Sequence, residues 1–324
     1  MSVSDAGEFG LIARIRERLR PADGVLLGPG DDAAVVTSPD GRTVVTTDLL
    51  VEGVHFRRDW SSAYHVGRKA AAQNLADVVA MGAHPTAVVV GLAAPPDLSL
   101  DWTDGFLDGL QDECASVHAG LAGGDVVRSP TLAVSVTALG DLQGRDPVVR
   151  AGAQPGQIVV VAGRLGYAAA GLELLRAGRH EPADLVDAHR APEVPYDAGL
   201  RLAIAGATAM IDVSDGLVAD LGHVAAESGV RIELASDDLP LPPELVEAAL
   251  SLGADPRSWV AGGGEDHAFV ATMSNDAALR AVALLADLDR PVPFTQIGRV
   301  VSGEPIVVFI DETPPGVHGH DHFS

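Results

Sequence analysis

The chain has 324 residues, is 47% hydrophobic and carries a formal net charge of −23 at pH 7. Its length allows two domains of ordinary size, and its acidity argues against nucleic-acid binding, which needs a basic surface. Cys114 is the only cysteine, which excludes an intrachain disulfide and fits a reducing cytoplasm. No membrane span and no secretory signal are expected, because the sequence lacks both a long apolar run and a basic start followed by an apolar stretch.

The apolar pattern of the first half predicts several helices and strands in chain order. Residues at helical spacing predict helices over 8–20, 61–82 and 100–119. Alternating or continuous apolar residues predict strands over 33–36, 43–47, 86–94 and 132–139. The segment from Arg150 to Gly156 contains glycine and proline, so it is the predicted boundary between an N-terminal domain, 1–150, and a C-terminal domain, 151–324.

The second half predicts a further set of elements. Helices are expected at about 166–178, 196–207, 215–228, 242–253 and 275–288. Strands are expected at about 158–162, 209–213, 230–234, 267–273, 294–301 and 305–310. Because helices and strands do not alternate regularly in either half, the predicted fold class is α+β, with mixed sheets flanked by helices.

Five short acidic signatures place a carboxylate beside glycine, a hydroxyl or a strand end. They are Asp31-Asp32, Thr46-Thr47-Asp48, Asn74-Leu75-Ala76-Asp77, Gly123-Gly124-Asp125 and Asp212-Val213-Ser214-Asp215-Gly216. Taken singly, most of them can be explained as a turn, a strand end or a helix cap. Together they indicate an acidic pocket spanning both halves that binds two or more Mg²⁺ ions, because hard divalent cations prefer oxygen ligands.

The context of each signature gives a specific expectation. Alternation along a strand puts Thr46 and Asp48 on one face and Thr47 on the other. A carboxylate in an apolar helix is costly unless it is paired or metal-bound, so Asp77 should have a partner, either a cation or one of His84, Arg68 and Lys69. The segment 123–125 is expected between a helix and a strand, where paired glycines allow close approach to a ligand.

The segment 212–216 is the sharpest of the five signatures. It is expected to end an apolar strand and open a helix, with Ser214 or Asp215 as the cap and with free amides that favour an anion such as phosphate. A second glycine-rich acidic junction, 262–267, could be a β-bulge or a loop before a strand. The chain has no P-loop, since Lys69 is its only lysine, so arginine and metal would have to hold any nucleotide phosphates.

These motifs, in this order, resemble those of the thiamine-monophosphate kinases, in the superfamily of aminoimidazole-ribonucleotide synthetase. The resemblance runs from Glu8-Phe9 to Asp321-His322-Phe323 and includes Gly263-Gly264-Glu265-Asp266. Its most family-specific stretch is Val51-Glu52-Gly53-Val54-His55-Phe56. It implies a homodimer whose N-terminal domains pair their sheets. It also implies ATP-dependent phosphorylation of thiamine monophosphate to thiamine diphosphate. The expectation that the protein binds neither nucleic acid nor membrane comes from its charge and from the lack of a long apolar run.

The resemblance also implies roles for individual residues. Contacts to ATP would come from Gly124, Asp125, Arg150 and Ser214. Contacts to the thiamine substrate would come from His55, Glu265 and His320. Magnesium would be held by Asp32, Thr46, Thr47, Asp48, Asp77, Asp125, Asp212 and Asp215. The chain departs from the family at Val126 and Val127, where threonines are common, and at His320, where an aromatic residue is usual.

The expected chemistry is direct in-line transfer without a phosphoenzyme, with the aspartates holding metal rather than moving protons. Another enzyme of the superfamily, of the aminoimidazole-ribonucleotide synthetase type, is an alternative on the shared motifs. The selenophosphate synthetases and the hydrogenase maturation factor are disfavoured, because they use a cysteine near the start or at the end of the chain. A regulatory protein that binds ATP and Mg²⁺ without turnover, or a phosphatase, is a further alternative.

Overall fold

The computed structural model describes residues 5, 11, 14–27 and 35–311. The chain divides into two compact units, the first made of Met1–Val78 and Ala83–Arg145 and the second of Val79–Gly82 and Asp146–Ser324. In the helix predicted over 8–20, residues 14–18 are helical and residues 19–20 are not. Much of the rest of that predicted helix lies outside the described residues.

The first unit contains a four-stranded sheet and two long helices. A short antiparallel pair, β1 (Val25–Leu27) and β2 (Val35–Val36), precedes it. The main elements are β3 (Val44–Val51), α1 (Ala63–Ala80), β4 (His84–Ala94), α2 (Leu100–Ser116), β5 (Gly120–Arg128) and β6 (Ala133–Asp141). The sheet order is β3-β6-β4-β5, in which β4 and β5 are parallel and the other pairs antiparallel. Strands β3 and β5 are therefore its two edges.

The two helices of the first unit pack tightly at glycine. A Cβ atom added to Gly67 of α1 would lie 2.0 Å from the carbonyl oxygen of Phe106 in α2, so a larger residue would push the helices apart. The side chains of Leu75 and Leu110 are fully buried. The opposite face of the sheet is open and partly apolar, since Val45 and Val127 are 63% and 51% exposed.

The second unit is built on a six-stranded sheet in the order β12-β9-β11-β7-β10-β8. Its strands are β7 (Ile158–Ala162), β8 (Ala209–Asp212), β9 (Arg231–Leu234), β10 (Phe269–Met273), β11 (Phe294–Val301) and β12 (Val307–Phe309). Its helices are α3 (Tyr167–Arg176), α4 (Ala183–Arg190), α5 (Tyr196–Ala205), α6 (Leu217–Ser228), α7 (Pro243–Leu252), α8 (Pro256–Gly262) and α9 (Asn275–Ala286). Only β12 and β9 pair in parallel.

The mixed α+β architecture is confirmed, with corrections to several predicted elements, among them strand β1, which was not predicted. The segment 123–125 lies inside strand β5 rather than in a turn, because its residues pair in parallel with β4, after a shift of register between Val88 and Val89. The short helices α4 and α8 were not predicted from the sequence. Within the described residues, the structure contains no helix that is both long and apolar enough to cross a membrane.

Candidate active site

Edge strand β3 presents its side chains alternately to the two faces of the sheet. Thr46 and Asp48 are half-buried, whereas Thr47 is exposed on the open face, as the alternation predicts. The Thr47 hydroxyl donates a hydrogen bond of 3.0 Å to the carbonyl oxygen of Val136. Asp32, the earliest of the proposed magnesium ligands, lies outside the described residues.

Helix α1 supplies two polar partners to the buried side of β3. The Thr46 hydroxyl donates to Oδ2 of Asp77 at 2.7 Å, a partner that the sequence did not indicate. Oδ1 of Asn74 accepts the backbone N–H of Asp48 at 2.9 Å, and the Asn74 amide donates to the carbonyl oxygen of Ala70. Asn74 is fully buried, so the helix fixes the position of the Asp48 backbone on this edge of the sheet.

Edge strand β5 carries Gly124 and Asp125. The strand register aligns Asp125 with Gly91, Ser135 and Leu49 in one row, and neighbours in such a row project from the same face. Leu49 is exposed, so Asp125 belongs to the open face. An apolar cavity of about 90 Å³ adjoins the strand and is lined by Val90, Leu92, Phe106, Leu110, Gly124 and Asp125, among others.

Asp48 and Asp125 lie on opposite edges of the same sheet. The register aligns Asp48 with Val136, Val90 and Gly124. Three strand spacings place the two acidic positions about 14 Å apart along the sheet. One ion therefore cannot bridge Asp48 and Asp125 within a single copy of the sheet.

In the second unit, loop 213–216 joins β8, which ends at Asp212, to α6, which begins at Leu217. The predicted strand-to-helix junction is thus confirmed. Gly216 is the N-cap residue and has a φ of +123°. A Cβ atom there would lie 2.7 Å from the carbonyl oxygen of Gly262, so the tight turn requires glycine.

The amides of this loop are bound by a carboxylate from the first turn of α6. Oδ2 of Asp220 accepts the N–H groups of Ser214, Asp215 and Gly216 at 3.0, 3.1 and 3.1 Å. The expectation that Ser214 or Asp215 caps the helix is therefore wrong, and Asp220 engages the three amides of the loop that precedes the helix. Burial, followed by the charges of Asp212 and Asp215, raises the pKa of Asp220 to about 7.

The junction at 262–267 is a loop in which two non-glycine residues have left-handed backbone angles. Glu265 has a φ of +67° and His267 a φ of +51°, a conformation that is costly for such residues unless their surroundings impose it. Asp266, between them, is buried and accepts the N–H groups of Gly166 and Ala168 at 2.5 and 2.8 Å. Burial raises the pKa of Asp266 to about 7, although these two amides act in the opposite direction.

Two histidines that the sequence did not single out contact predicted site residues. Nδ1 of His267 lies 2.9 Å from Oδ2 of Asp212, and both side chains are buried. Nδ1 of His189 lies 3.3 Å from Oε2 of Glu265. For His267 the only available signal was a polar residue at the start of an apolar strand, which does not identify a partner 55 residues away. His189 lies in helix α4, which was not predicted.

The remaining predicted site residues of this group are His55, Arg150 and His320. His55 is half-buried in the loop after β3, where its Nδ1 accepts the N–H of Val51 at 3.0 Å and its carbonyl oxygen accepts the ammonium of Lys69 at 3.1 Å. Arg150 is exposed at the start of a short 3₁₀ turn. His320 lies outside the described residues.

The donor chemistry fits a hard divalent cation. The charges of Asp212 and Asp215 add to burial in raising the pKa of the Asp220 carboxyl in the same loop region, and a bound cation would offset the repulsion of these charges. Carboxylate and hydroxyl oxygens also meet at Thr46 and Asp77. In the part of the chain that the structure describes, no three acidic, histidine or cysteine side chains form a ready-made ligand cluster.

Comparison with known proteins identifies the family. The model for the AIR synthase related protein N-terminal domain matches residues 30–142, and the model for the C-terminal domain matches residues 154–311. A thiamine-monophosphate kinase from Mycobacterium tuberculosis is 46% identical over 325 residues, covering 100% of this chain and 93% of that protein.

Two solved structures agree with this comparison. A crystal structure of thiamine-monophosphate kinase from Stenotrophomonas maltophilia has a TM-score of 0.81 and 37% identity, covering 93% of this chain and 96% of the other. The structure of AaThiL complexed with AMPPCP and TMP has a TM-score of 0.77 and 32% identity, covering 100% of this chain and 99% of the other. The chain belongs to the thiamine-monophosphate kinase family, and it is built from the two domains of the AIR synthase related fold.

Proposed function

We propose that this protein transfers the γ-phosphate of ATP to thiamine monophosphate and forms thiamine diphosphate. The observation that carries the proposal is the match, over the whole chain, to a kinase structure complexed with AMPPCP, an ATP analogue, and TMP. The carboxylates of Asp212 and Asp215, whose charges raise the pKa of Asp220, support it, because they provide the oxygen ligands that a metal-dependent phosphotransferase needs.

Within this proposal, several Mg²⁺ ions bind to the acidic signatures. The residues that would hold them are Asp32, Thr46, Thr47, Asp48, Asp77, Asp125, Asp212 and Asp215. Bound Mg²⁺ would offset the repulsion between the two anionic substrates, which amounts to roughly 4 kcal/mol for one pair of unit charges about 4 Å apart at an effective dielectric near 20. The chain provides rigid supports for this set at Thr46, through Asp77, and at Asp48, through Asn74.

The transfer itself is proposed to be direct and in line. A phosphate monoester has a second pKa of about 6 and is mostly dianionic near neutral pH, so the acceptor oxygen needs no strong general base. The aspartates therefore bind metal, and none has to act as an acid or base. Radiolabel from ATP that stayed on the protein after incubation without thiamine monophosphate would argue for a phosphoenzyme instead.

Substrate contacts follow the family pattern. We assign ATP to Gly124, Asp125, Arg150 and Ser214, and thiamine monophosphate to His55, Glu265 and His320. The contact between Glu265 and His189 supports the second assignment, since it holds a carboxylate in a strained loop. In this scheme the N-terminal domain, 1–150, supplies ATP and metal binding together with dimerisation, and the C-terminal domain, 151–324, completes the function.

We further propose a homodimer in which the N-terminal sheets pair. The open face of the sheet exposes the apolar side chains of Val45, Leu49 and Val127, and apolar area of this kind favours an interface. The edges β3 and β5 carry Asp48 and Asp125, respectively. Pairing of edge β5 with edge β3 of a second copy would put the two acidic positions on adjacent strands, with Asp125 on the open face and Asp48 on the helix-covered face, whereas a single sheet separates them by three strand spacings. A cytoplasmic location is proposed, because the one cysteine is a buried free thiol.

A coupled assay of ADP formation tests the proposed function. Purified protein is incubated with ATP and Mg²⁺, with and without thiamine monophosphate. The proposal predicts ADP release that depends on this acceptor, and predicts that Asp212→Ala abolishes it while leaving the fold intact. ADP release with an aminoimidazole precursor instead, or no ADP release at all, would contradict the proposal.

A further inference from the structure

The contact between His267 and Asp212 is the most deeply buried polar pair of the second unit that involves a proposed metal ligand. Nδ1 of His267 lies 2.9 Å from Oδ2 of Asp212, and the two residues are 4% and 3% exposed. A buried carboxylate is stable only when its oxygens have partners. His267 satisfies one oxygen, and among the described residues Oδ1 of Asp212 has no hydrogen-bond donor.

The backbone holds His267 in place from both sides. Its N–H donates to the carbonyl oxygen of Val213 at 2.9 Å, and the N–H of Val213 donates to the carbonyl oxygen of Ala268 at 2.8 Å. The preceding residue, Asp266, is anchored by two amides at the start of α3. These contacts impose the left-handed φ of +51° on His267 and direct its ring to the end of strand β8.

A fixed hydrogen bond on one carboxylate oxygen sets the rotation of the whole group. With Oδ2 engaged by His267, the other oxygen of Asp212 has a defined direction. Outer partners of this kind orient ligand groups in metal sites, and their removal commonly weakens metal binding by about 10- to 100-fold. The pair lies at the strand end that opens into loop 213–216, next to Asp215.

We propose that His267 is a positioning residue: it donates its Nδ1 proton to Oδ2 of Asp212 and so orients Oδ1 to bind a divalent cation. The inference rests on the proposed metal role of Asp212. It assigns to His267 no contact with either substrate and no proton transfer during the reaction. Its loss should therefore weaken cation binding more than it weakens binding of thiamine monophosphate.

The test measures Mn²⁺ binding directly, by the loss of the free Mn²⁺ signal in electron paramagnetic resonance, with full-length protein and no nucleotide present. His267→Phe keeps the ring volume but removes the donor, and His267→Asn returns a donor near the position of Nδ1. Thr272→Val is the matched control, because Thr272 is buried in the adjoining strand β10 and hydrogen-bonds to Thr208. Unfolding temperatures are recorded for all variants.

We expect His267→Phe to weaken Mn²⁺ binding about tenfold, His267→Asn to recover most of the affinity, and Thr272→Val to lower the unfolding temperature without changing Mn²⁺ binding. Wild-type Mn²⁺ affinity in His267→Phe would overturn the inference. So would a loss in Thr272→Val as large as that in His267→Phe, because the effect would then be general destabilisation. If His267→Phe does not fold, His267→Leu takes its place in the same comparison.

The same experiment separates this inference from the proposed function. A wild-type protein that binds Mn²⁺ through Asp212 and His267 but forms no thiamine diphosphate would refute the kinase proposal and leave the positioning role standing. An active kinase whose Mn²⁺ affinity falls in Asp212→Asn but is unchanged in His267→Phe would refute only the positioning role.

Discussion

Thr46 on strand β3 donates its hydroxyl to Oδ2 of Asp77 on helix α1 at 2.7 Å. The bond connects two acidic signatures that are 31 residues apart and places both on the helix-covered side of the sheet. It explains how a carboxylate can occupy a helix whose neighbouring residues, Leu75 and Val78, are fully buried.

Removal of the Thr46 hydroxyl should have a larger effect on metal binding than on the stability of the fold. We expect Thr46→Val to raise the Mg²⁺ concentration for half-maximal activity about tenfold, because Asp77 loses the donor that orients it. Thr86→Val is the control, since the Thr86 hydroxyl bonds only to the carbonyl oxygen of Leu139 on the neighbouring strand. Equal Mg²⁺ dependence in the two variants, measured by titration of the ADP assay, would show that the Thr46 contact is purely structural.

The adjacent glycines Gly123 and Gly124 of strand β5 should respond differently to substitution. A Cβ atom on Gly124 would lie 2.0 Å from the carbonyl oxygen of Val90, whereas one on Gly123 would meet nothing within 4 Å. We therefore expect Gly124→Ala to destabilise the first unit by about 2 kcal/mol or more through backbone displacement. Gly123→Ala should have little effect. Urea unfolding of the two variants checks this prediction, and equal midpoints would contradict it.

The positions of Asp48 and Asp125 on opposite edges of one sheet give a prediction for the dimer. If each site uses Asp48 of one subunit and Asp125 of the partner subunit, Asp48→Ala and Asp125→Ala are each inactive alone. Random mixing of the two variants should then restore about one quarter of wild-type activity, because half of the dimers are mixed and each mixed dimer has one intact site.

The mixing experiment requires unfolding and refolding the variants together, with wild-type protein carried through the same steps as the control. Continued inactivity of the refolded mixture, alongside full recovery of the wild type, would place both residues in sites formed within one subunit. A monomer in sedimentation would contradict the proposed dimer outright.

Asp266 should make stability depend on pH. Burial raises its pKa from 3.8 to about 7, so between these values the folded chain binds more protons than the unfolded chain. Its contribution to stability is then fully present below about pH 4 and falls as pH rises to about 7, by up to about 4 kcal/mol. Asp266→Asn cannot ionise, so its stability should not fall with pH for this reason. The difference in unfolding free energy between wild type and variant should therefore change between about pH 4 and about pH 7.

Urea unfolding of both proteins at pH 5, 6 and 7 measures this difference. We expect the unfolding free energy of Asp266→Asn to increase relative to that of the wild type as pH increases. Parallel stability curves would show that Asp266 is already ionised in the folded protein, held so by the amides of Gly166 and Ala168.

The sequence predicted most elements because their apolar periodicity is strong. It failed at strand β5, since Gly123 and Gly124 disfavour a strand locally and only pairing with β4 makes them extended. At the site, the alternation of side chains along strand β3 correctly predicted that Thr46 and Thr47 lie on opposite faces of the sheet. The partners could not be predicted, because the contact between His267 and Asp212 depends on how strands β8 and β10 align.

The helix cap at loop 213–216 was predicted wrongly for a similar reason. A Ser or Asp before a helix is usually its cap, and here the candidates were Ser214 and Asp215. Gly216 instead occupies the cap position. Asp220, one turn further along the helix, accepts the N–H groups of Ser214, Asp215 and Gly216. Local propensity cannot reveal this choice, because it depends on the close packing of Gly216 against Gly262.

The most direct test of the central claim follows the phosphate itself. ATP labelled at the γ-phosphate is incubated with the protein, Mg²⁺ and unlabelled thiamine monophosphate, and the products are separated by chromatography. We expect the label to appear in the terminal phosphate of thiamine diphosphate, in equal amount to the ADP formed and only when the acceptor is present. Label found as inorganic phosphate, or ADP formed without labelled thiamine diphosphate, would contradict it.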